Sequence, residues 1–505
     1  MYFKDHEVQH GHGRRSARSG AVSMFTRAVN TVFQFALALM LARLLTPEDY
    51  GLVAMVLAIT GVVTMLVDLG CRDAIARRQT VAPAEVSALF WITTVNAAVL
   101  AVVVAGSGPL IARFYGEARL TTITLVSSLV LFTTALAAVP NALMRRALLF
   151  QRLAFIEVVA GMSSGILSVA LAATGWGYWA LVIRPLAMSA FIAAALWLHC
   201  RWLPVKPAVT SGVRDMLKFG VTLVGNSITE FCRNNLDRVA VGWRYGAASL
   251  GQYQNANAVY SNVIDPFGYL QEVAVGSLSR LLHDLPEFRR LWAKAIATLT
   301  FFVMPAFGLL AVIGADLVVL LLGRKWQAAG VILSVLAFRG IPQVLERTLG
   351  WLHVSVGRAD RWVRWSLLAT AVQLGAVAVG LPFGLTGVAL GLVLSTYVLF
   401  LPALAYAGKP VGIDIPHTIR AAGKPFVGTI AAVIAAFAVR DALGLNDIGF
   451  QRAVIVGASF VTCYLAIVIG IFRMIDPLFL GWSLLRDLLP KRFEPAMGPT
   501  SLRQP

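Results

Sequence analysis

Four polar residues with helical spacing crowd the segment EFCRNNLDRVAVGW, residues 230–243, in a chain that is only 13% charged. Their spacing of i, i+3, i+4 and i+7 would place them on one face of a helix. They are Glu230, Arg233, Asn234 and Asp237. An arginine guanidinium binds oxyanions through two parallel hydrogen bonds, so a phosphate is the ligand that such a face would recognise.

A matching stripe lies in the first apolar segment of the chain. Arg27, Asn30 and Gln34 are spaced at i, i+3 and i+7. An offset of 200 residues superposes Asn30 on Glu230 and Gln34 on Asn234, so the two stripes are in phase. The two halves of the chain therefore carry polar helix faces at corresponding positions.

The elements that position these stripes are predicted transmembrane helices. The 505 residues are 58% hydrophobic, and the mean hydropathy is +0.75. About fourteen apolar runs of around twenty residues recur along the chain, each long enough to cross a hydrocarbon core of ~30 Å. The sequence therefore predicts an all-α polytopic membrane protein, and its short connections leave no room for an inserted soluble catalytic domain.

The net charge of +18 reflects membrane topology and not nucleic-acid binding. With the N-terminus placed in the cytoplasm, the cytoplasmic tails and connections hold 29 of the 43 Lys and Arg residues, and the opposite side holds 8. Such an asymmetry over short loops is the positive-inside signature. Both termini are therefore expected in the cytoplasm, and no nucleic-acid partner is expected.

An internal repeat relates the two halves of the chain. Three pairs of segments match in order, and their offsets drift slowly from 200 to 209 residues. The first pair aligns Gly51 with Gly251. The pairs are ARLLTPEDYGLVAM (42–55) with GWRYGAASLGQYQN (242–255), PLIARFYG (109–116) with DLVVLLLG (316–323), and GWGYWAL (175–181) with GLTGVAL (384–390).

The repeat predicts two pseudo-symmetric six-helix lobes that share one orientation, followed by two further helices. A pseudo-two-fold axis along the membrane normal places a binding site between such halves. The predicted divisions are a disordered cytoplasmic tail (1–20), an N-lobe of helices 1–6 (21–200), a C-lobe of helices 7–12 (201–410), helices 13–14 (411–475) and a cytoplasmic amphipathic tail (476–505).

The repeat also places the stripe of residues 230–237 inside a helix. If the outer turn begins near Trp243, Arg233 lies about 15 Å below it, near mid-membrane, and Arg238 lies about 7 Å below it, within snorkelling reach. Four mid-helix charges cost roughly 10–14 kcal/mol on insertion, whereas ten large apolar residues return about 3–6 kcal/mol. The stripe must therefore face protein or a watered cavity.

Two roles stay open for the charges inside the spans. They could pair internally, as Arg233 and Asp237 could at i,i+4, or they could bind cargo in a cavity whose deeper part is net positive. The second role predicts a substrate-binding cavity formed by Arg27, Asn30, Gln34, Arg184, Glu230, Arg233, Asn234, Asp237, Arg238 and Arg339.

No metal site, catalytic residue or cofactor is predicted. The cysteines are scattered without metal-ligand spacing, at Cys71, Cys200, Cys232 and Cys463. The chain contains no P-loop, so direct ATP coupling is not expected, and a proton or Na⁺ gradient is the candidate energy source.

The repeated segments also carry a family resemblance. LARLLTPEDYGLVAM, the DLG at 68–70, PLIARFYG, GWGYWAL and LDRVAVGWRYGAASLGQY occur in the order typical of the polysaccharide exporter (Wzx-type flippase) family. The chain most resembles its lipopolysaccharide and colanic-acid exporter branch, within the MOP superfamily that also holds the lipid II flippase MurJ and the MATE drug exporters. The resemblance covers nearly all of residues 20–475.

The resemblance implies a non-enzymatic protein of the bacterial inner membrane. Such a protein would flip an undecaprenyl-pyrophosphate-linked oligosaccharide by alternating access, in contact with membrane lipids and with other polysaccharide-assembly proteins. By position, Arg27 resembles a basic cavity residue of these flippases, and Arg233 with Arg238 resembles their helix 7 pattern.

Two other functions compete with flipping. A MATE-like cation or drug antiporter would have an acid-dominated cavity, whereas the arginine stripes favour an anionic cargo. A membrane-embedded polysaccharide polymerase or glycosyltransferase would need a large outward loop, whereas the longest outward connections have about a dozen residues.

Overall fold

The structure is a computed structural model that describes residues 30–71, 75, 81–208, 210–264, 278–474 and 477. All of the regular secondary structure in these ranges is helical. Arg27, the predicted N-terminal tail, the predicted C-terminal tail apart from residue 477, and residues 265–277 lie outside the described residues.

Six helices make up the first part of the described chain. Thr46 caps the second of them: its hydroxyl accepts from the backbone of Asp49, whose carboxylate accepts from the backbone of Thr46, and Pro47 occupies the first helical position. The six are α1 (Asn30–Leu44), α2 (Pro47–Met65), α3 (Pro83–Tyr115), α4 (Arg119–Arg146), α5 (Phe150–Ala173) and α6 (Trp179–Cys200).

The next helical stretch, Ser211–Ile264, is divided at Gly246, where φ is 78° and ψ is −177°. We call the parts before and after this glycine α7 and α8. The sequence placed the beginning of the turn near Trp243, whereas the helix continues to a break at Gly246. A single glycine in the left-handed region suffices to redirect the chain, so both helices continue to the break.

The remaining helices follow with short connections. They are α9 (Leu285–Leu322), α10 (Gln327–Ser355), α11 (Ala359–Gly380), α12 (Gly384–Gly408), α13 (Ile415–Ala442) and α14 (Phe450–Leu465), the last continued by a π-helical turn (Ala466–Ile471). Ten described segments are long and apolar enough to cross a membrane, one of which, Asp360–Val411, contains both α11 and α12. Ser211–Ile264 is not among them, because its polar residues lower its hydropathy.

Helix packing separates the bundle into two groups and an appended pair. Among α1–α6, the main contacts join α3 with α4, α4 with α6, and α5 with α6; among α7–α12, they join α9 with α10, α10 with α12, and α11 with α12. Helices α13 and α14 pack on α9. The largest contact between the groups is that of α2 with the α7–α8 stretch. The two groups therefore meet at the helices that contain most of the first pair of repeat segments, 42–55 and 242–255.

The glycines aligned by the second and third pairs of the internal repeat all have positive φ angles. Gly116 and Gly323, which end α3 and α9, have φ values of 71° and 99°. Gly175 and Gly384, before α6 and at the start of α12, have φ values of 85° and 81°. A positive φ favours glycine, so the weak sequence matches at offsets 207 and 209 both fall on glycines that such an angle requires, although ψ is 26° at Gly116 and 166° at Gly323. The exact lobe boundaries stay a prediction.

Candidate functional site

A polar cavity of about 260 Å³ lies inside the C-terminal group of helices. Five helices supply its walls, and all but two of its lining residues are polar. We call it the polar cavity, and it is lined by Asn234, Asp237 and Arg238 of α7, Asn257, Tyr260, Ser261 and Ile264 of α8, Arg339, Gln343 and Arg347 of α10, Gln373 of α11 and Leu392 of α12. Three of the lining side chains are cationic and one is anionic.

The carboxylate of Asp237 is held by a tyrosine from the next helix. Tyr253 is fully buried, and its hydroxyl donates to Asp237 Oδ2 at 2.6 Å. The kink at Gly246 turns α8 back toward α7, which brings these residues together across sixteen positions of sequence. Asp237 Oδ1 is buried without a hydrogen-bond partner, so one carboxylate oxygen stays available to a ligand in the cavity.

Arg238, which the sequence placed within snorkelling reach of the outer turn and also in the predicted cavity, lies in the wall of the polar cavity. Its NH1 donates to Asn235 Oδ1 at 2.8 Å, one turn back along α7. Its Nε is buried and makes no hydrogen bond. The backward bond to Asn235 directs the guanidinium into the protein, because the same group cannot reach toward the helix end at the same time.

Two further arginines enter the polar cavity from α10. Arg339 Nε donates to the hydroxyl of Thr396 on α12 at 3.1 Å. Arg347 follows two turns later and lines the same space. The bond to Thr396 engages Nε, and the terminal amino groups of a guanidinium are the donors that it presents to an oxyanion.

A second, smaller polar contact lies in the N-terminal group. Arg184 NH2 of α6 donates to Gln34 Oε1 of α1 at 2.6 Å. A Cβ at Gly161 of α5 would approach Gln34 Nε2 to 2.8 Å, so this glycine makes room for the amide. Asn30, one turn before Gln34, has a buried Oδ1 without a hydrogen-bond partner. We call Asn30, Gln34 and Arg184 the N-terminal polar cluster.

Seven of the ten predicted site residues have described side chains, and these seven fall into the two places and do not line one pocket. The polar cavity contains Asn234, Asp237, Arg238 and Arg339, whereas Asn30, Gln34 and Arg184 belong to the N-terminal polar cluster. The backbones of Glu230 and Arg233 lie within α7, which confirms that the stripe is helical. The side chain of Arg233, like all of Arg27, lies outside the described residues, as does that of Glu230.

Two residues that position the polar cavity were not predicted. Gln373 is 5% exposed and sits in the apolar run LLATAVQLGAVAVG of α11, where a single amide is the available signal. Tyr253 lies in the polar start of α8, but a tyrosine near a helix end is also typical of the membrane interface. Their roles depend on which helix they face, and periodicity within one helix does not reveal that.

A buried ion pair outside the candidate site was also not predicted. Asp316 near the end of α9 is fully buried and accepts from Arg452 Nε of α14 at 2.9 Å and from the backbone N–H of Gly449 at 2.9 Å. Hydropathy ends the apolar run of this helix at residue 314, which leaves Asp316 in a connection. The helix continues to Leu322, so the carboxylate is inside the bundle.

A surface ion-pair group joins the start of α2 to the α3–α4 turn. Arg119 donates to Glu117 Oε1 at 2.8 Å and to Glu48 Oε1 at 2.5 Å. The hydrogen bond from Arg119 holds the pKa of the Glu117 carboxyl below its usual value. Within the part of the chain that the structure describes, no three His, Cys, Asp or Glu side chains converge as a metal site would require.

Comparison with known proteins places this architecture among polysaccharide-related membrane proteins. A family described as polysaccharide biosynthesis protein matches residues 40–330. The teichuronic acid biosynthesis protein TuaB of Bacillus subtilis (strain 168) is 25% identical over 467 residues, which cover 90% of this chain and 94% of TuaB. The lipopolysaccharide biosynthesis protein WzxC of Escherichia coli (strain K12) is 23% identical, with 82% of this chain and 86% of WzxC covered.

Solved structures share the fold at low sequence identity. The lipid II flippase MurJ in an inward closed conformation matches with a TM-score of 0.70 and 14% identity, over 89% of this chain and 99% of MurJ. An inward-facing MATE-family multidrug resistance transporter of the MOP superfamily matches with a TM-score of 0.61 and 16% identity, over 76% of this chain and 94% of the transporter. The chain therefore shares the overall fold of these two structures.

Proposed function

The chain belongs to the polysaccharide biosynthesis protein family, and from this premise we propose that it flips lipid-linked oligosaccharides across the bacterial inner membrane by alternating access. The observation that carries the proposal is the arginine-lined polar cavity inside an apolar helical bundle. Charged residues within a membrane bundle are costly, so three arginines around one cavity indicate an anionic cargo. Named relatives act in teichuronic acid, lipopolysaccharide and succinoglycan biosynthesis.

The proposed topology has fourteen membrane crossings with both termini in the cytoplasm. Helices α1 to α14 would each cross once, with α7 and α8 tolerated in the membrane because their polar faces point into the bundle. The excess of Lys and Arg on the side of the termini, 29 against 8, supports this orientation.

The polar cavity contains groups suited to both parts of such a cargo. Arg238 and Arg339 would bind the phosphate oxygens, since guanidinium groups donate in pairs to oxyanions. Asn257, Gln343 and Gln373 would bind sugar hydroxyls, because an amide both donates and accepts. The N-terminal polar cluster would contact the same cargo from the opposite group of helices.

Asp237 offers a route for coupling to an ion gradient. It is the one acidic side chain among the described residues that line the polar cavity, and its Oδ1 has no hydrogen-bond partner. A proton or Na⁺ on this carboxylate would change the net charge that the cargo meets, and binding that differs between two states shifts their populations. This is the step at which a gradient would drive transport.

A MATE-like cation antiporter is the second candidate, favoured by the MATE structural likeness and by the buried carboxylate of Asp237. The two candidates differ in the charge of the cargo. An antiporter for cations needs acidic side chains to prevail around its cargo, whereas three of the four charged side chains described around the polar cavity are arginines.

The test is deletion of the gene in its host, followed by analysis of lipid-linked oligosaccharide in each leaflet. We expect accumulation in the cytoplasmic leaflet, restored to normal by the wild-type protein and not by Arg339→Ala. Arg364→Ala is the matched control, because Arg364 is an exposed arginine of α11 outside the polar cavity. Normal oligosaccharide distribution with increased sensitivity to cationic drugs would instead support the antiporter, and short unpolymerised chains at the outer leaflet would indicate a polymerase.

A further inference from the structure

Two helix starts cross each other reciprocally where the two groups of helices meet. A Cβ at Gly51 of α2 would lie 1.7 Å from the carbonyl oxygen of Ala247, the first residue of α8. A Cβ at Gly251 of α8 would lie 1.7 Å from the carbonyl oxygen of Pro47, the first residue of α2. The two glycines are 200 positions apart, as are Pro47 and Ala247, so the contact obeys the pseudo-two-fold relation of the repeat.

This crossing depends on having glycine at both positions. Real Cβ atoms do not approach a carbonyl oxygen to 1.7 Å, and the neighbour is backbone, which cannot rotate away. In each helix a first residue and a glycine four positions later form the contact face, the small-residue spacing that lets membrane helices approach closely. Any larger side chain at Gly51 or Gly251 must therefore push the two helix starts apart.

Beside the crossing, cationic side chains of each group donate hydrogen bonds to carbonyls at a helix end of the other group. Arg43 Nε, at the end of α1, donates to the carbonyl of Leu321 near the end of α9 at 2.9 Å. Lys325 Nζ, just after α9, donates to the carbonyl of Arg43 at 2.7 Å, and Trp326 Nε1 donates to that of Ala42 at 2.8 Å. The last carbonyls of a helix have no intrahelical partner and attract cations, so each group satisfies the other's helix end.

We propose that the glycine crossing and the exchanged caps form an outer clasp, consisting of Gly51, Gly251, Arg43 and Lys325, whose release opens the protein to the outside. In the proposed topology, α1 and α9 end on the side opposite the termini, which makes this end of the bundle the outer one. Because every contact of the clasp joins one group to the other, rotating the groups apart at this end breaks all of them together. The clasp is therefore a two-state element that holds the inward-facing form.

The experiment measures access to the polar cavity from outside. Asn257, which lines the cavity about 9 Å below Gly251, is replaced by cysteine in a background where the four native cysteines are alanine. Intact cells are treated with a membrane-impermeant maleimide. We expect Gly51→Leu and Gly251→Leu each to raise the labelling rate roughly tenfold, because the outward-open population rises as the closed form is disfavoured.

Matched variants separate clasp release from a general effect of substitution. Gly106→Leu makes the same change in α3, where a side chain would meet nothing within 4 Å, and it should leave labelling unchanged. Arg43→Gln combined with Lys325→Gln should raise labelling several-fold, and Arg324→Gln, next to Lys325 and exposed, should not. If the glycine variants do not insert into the membrane, the double glutamine variant decides the matter.

The outcomes for the clasp and for the proposed function are distinct. Labelling that stays at the reference level in both inserted glycine variants, or in the double glutamine variant, would overturn the clasp while leaving oligosaccharide flipping intact. Increased labelling in the glycine variants supports the clasp even if the deletion strain shows no accumulated lipid-linked oligosaccharide, because maleimide access does not depend on the cargo.

Discussion

The two groups of helices share a framework but differ in what they enclose. In the N-terminal polar cluster, one arginine is bonded to a neutral amide, Arg184 to Gln34. In the polar cavity of the C-terminal group, three arginines and Asp237 surround a space of about 260 Å³. The two groups thus share glycines at corresponding positions and the spacing of their polar stripes. One group nevertheless contains only the N-terminal polar cluster, whereas the other contains the polar cavity. The repeat supplies the scaffold, and the side chains decide where cargo binds.

A second difference concerns the C-terminal ends of α3 and α9. The repeat aligns Pro109 of α3 with Asp316 of α9. Asp316 pairs with Arg452 of α14, whereas a proline side chain has no charge with which to hold another helix. The C-terminal group therefore carries α13 and α14 through a charge that its counterpart lacks, and these two helices should move with it.

The largest expected effect comes from breaking this asymmetric ion pair. Asp316→Ala leaves Arg452 with 12% exposure and no carboxylate, and removing one partner of a buried pair costs about 3–5 kcal/mol. We expect a clear drop in the midpoint of thermal unfolding of the purified protein. Asp441→Ala removes an exposed partner of Arg440 and should change the midpoint little. Equal midpoints for the two variants would show that α14 is not fastened through Asp316.

The next largest effect compares the contributions of the polar cavity and the N-terminal polar cluster to transport. Arg339→Ala removes a guanidinium from the polar cavity, and a charged hydrogen bond is worth about 1.5–3 kcal/mol, which corresponds to a roughly 10- to 100-fold loss of oligosaccharide transport. Arg339→Lys should recover part of the activity, because it keeps the charge and loses the planar fork. Transport is measured as lipid-linked oligosaccharide reaching the outer leaflet, and normal transport by Arg339→Ala would remove the cavity from the pathway.

A smaller effect is expected in the N-terminal polar cluster. Arg184→Ala removes the partner of Gln34 and should lower transport by less than about tenfold, because a hydrogen bond to a neutral amide is weaker than a bidentate ionic contact. The same transport assay is used, with Gln34→Ala as the companion variant. If Arg184→Ala is more damaging than Arg339→Ala, the N-terminal group is the principal cargo site and the ranking is reversed.

Removal of one hydroxyl tests how Asp237 is positioned. Tyr253→Phe deletes the hydrogen bond to Asp237 Oδ2, and a typical bond of this kind contributes about 1 kcal/mol, or roughly fivefold in transport. Tyr260 lines the same cavity and bonds Gln343, so an equal loss of transport in Tyr260→Phe would contradict a specific positioning role of Tyr253.

The smallest effect concerns the ion pairs between the α3–α4 turn and the start of α2. The folded-state pKa of Glu117 is lowered by Arg119, so the stabilisation is present above the unfolded pKa of about 4.3 and is lost as pH falls through the folded value. We expect the unfolding midpoints of the wild type and Arg119→Ala to differ at pH 7 and to converge below about pH 4. A difference that persists at low pH would assign the effect of Arg119 to packing.

Helix existence and the helical character of the polar stripe could be predicted because they depend on local spacing. The i, i+3, i+4, i+7 pattern of residues 230–237 is visible in one segment, and α7 contains it. Hydropathy did not predict that α9 continues past Asp316, because a charged residue at the end of an apolar run looks like the start of a connection. It did not predict the break at Gly246 either, because a turn made by a single glycine has no polar loop to mark it. Hydropathy shows that a residue is polar, but it does not show which hydrogen-bond or ion-pair partner allows that residue to be buried.

The sequence by itself determined that this is a helical membrane protein, and it supplied both the prediction of cytoplasmic termini and the alignment of Gly51 with Gly251. Apolar length, charge asymmetry and repeat offsets are properties of the chain in order, so they can be read without coordinates. Only the tertiary structure decided that the polar residues divide into two sites and that each aligned glycine meets the other helix's first carbonyl. Those facts depend on which helix faces which, and packing between distant segments sets that.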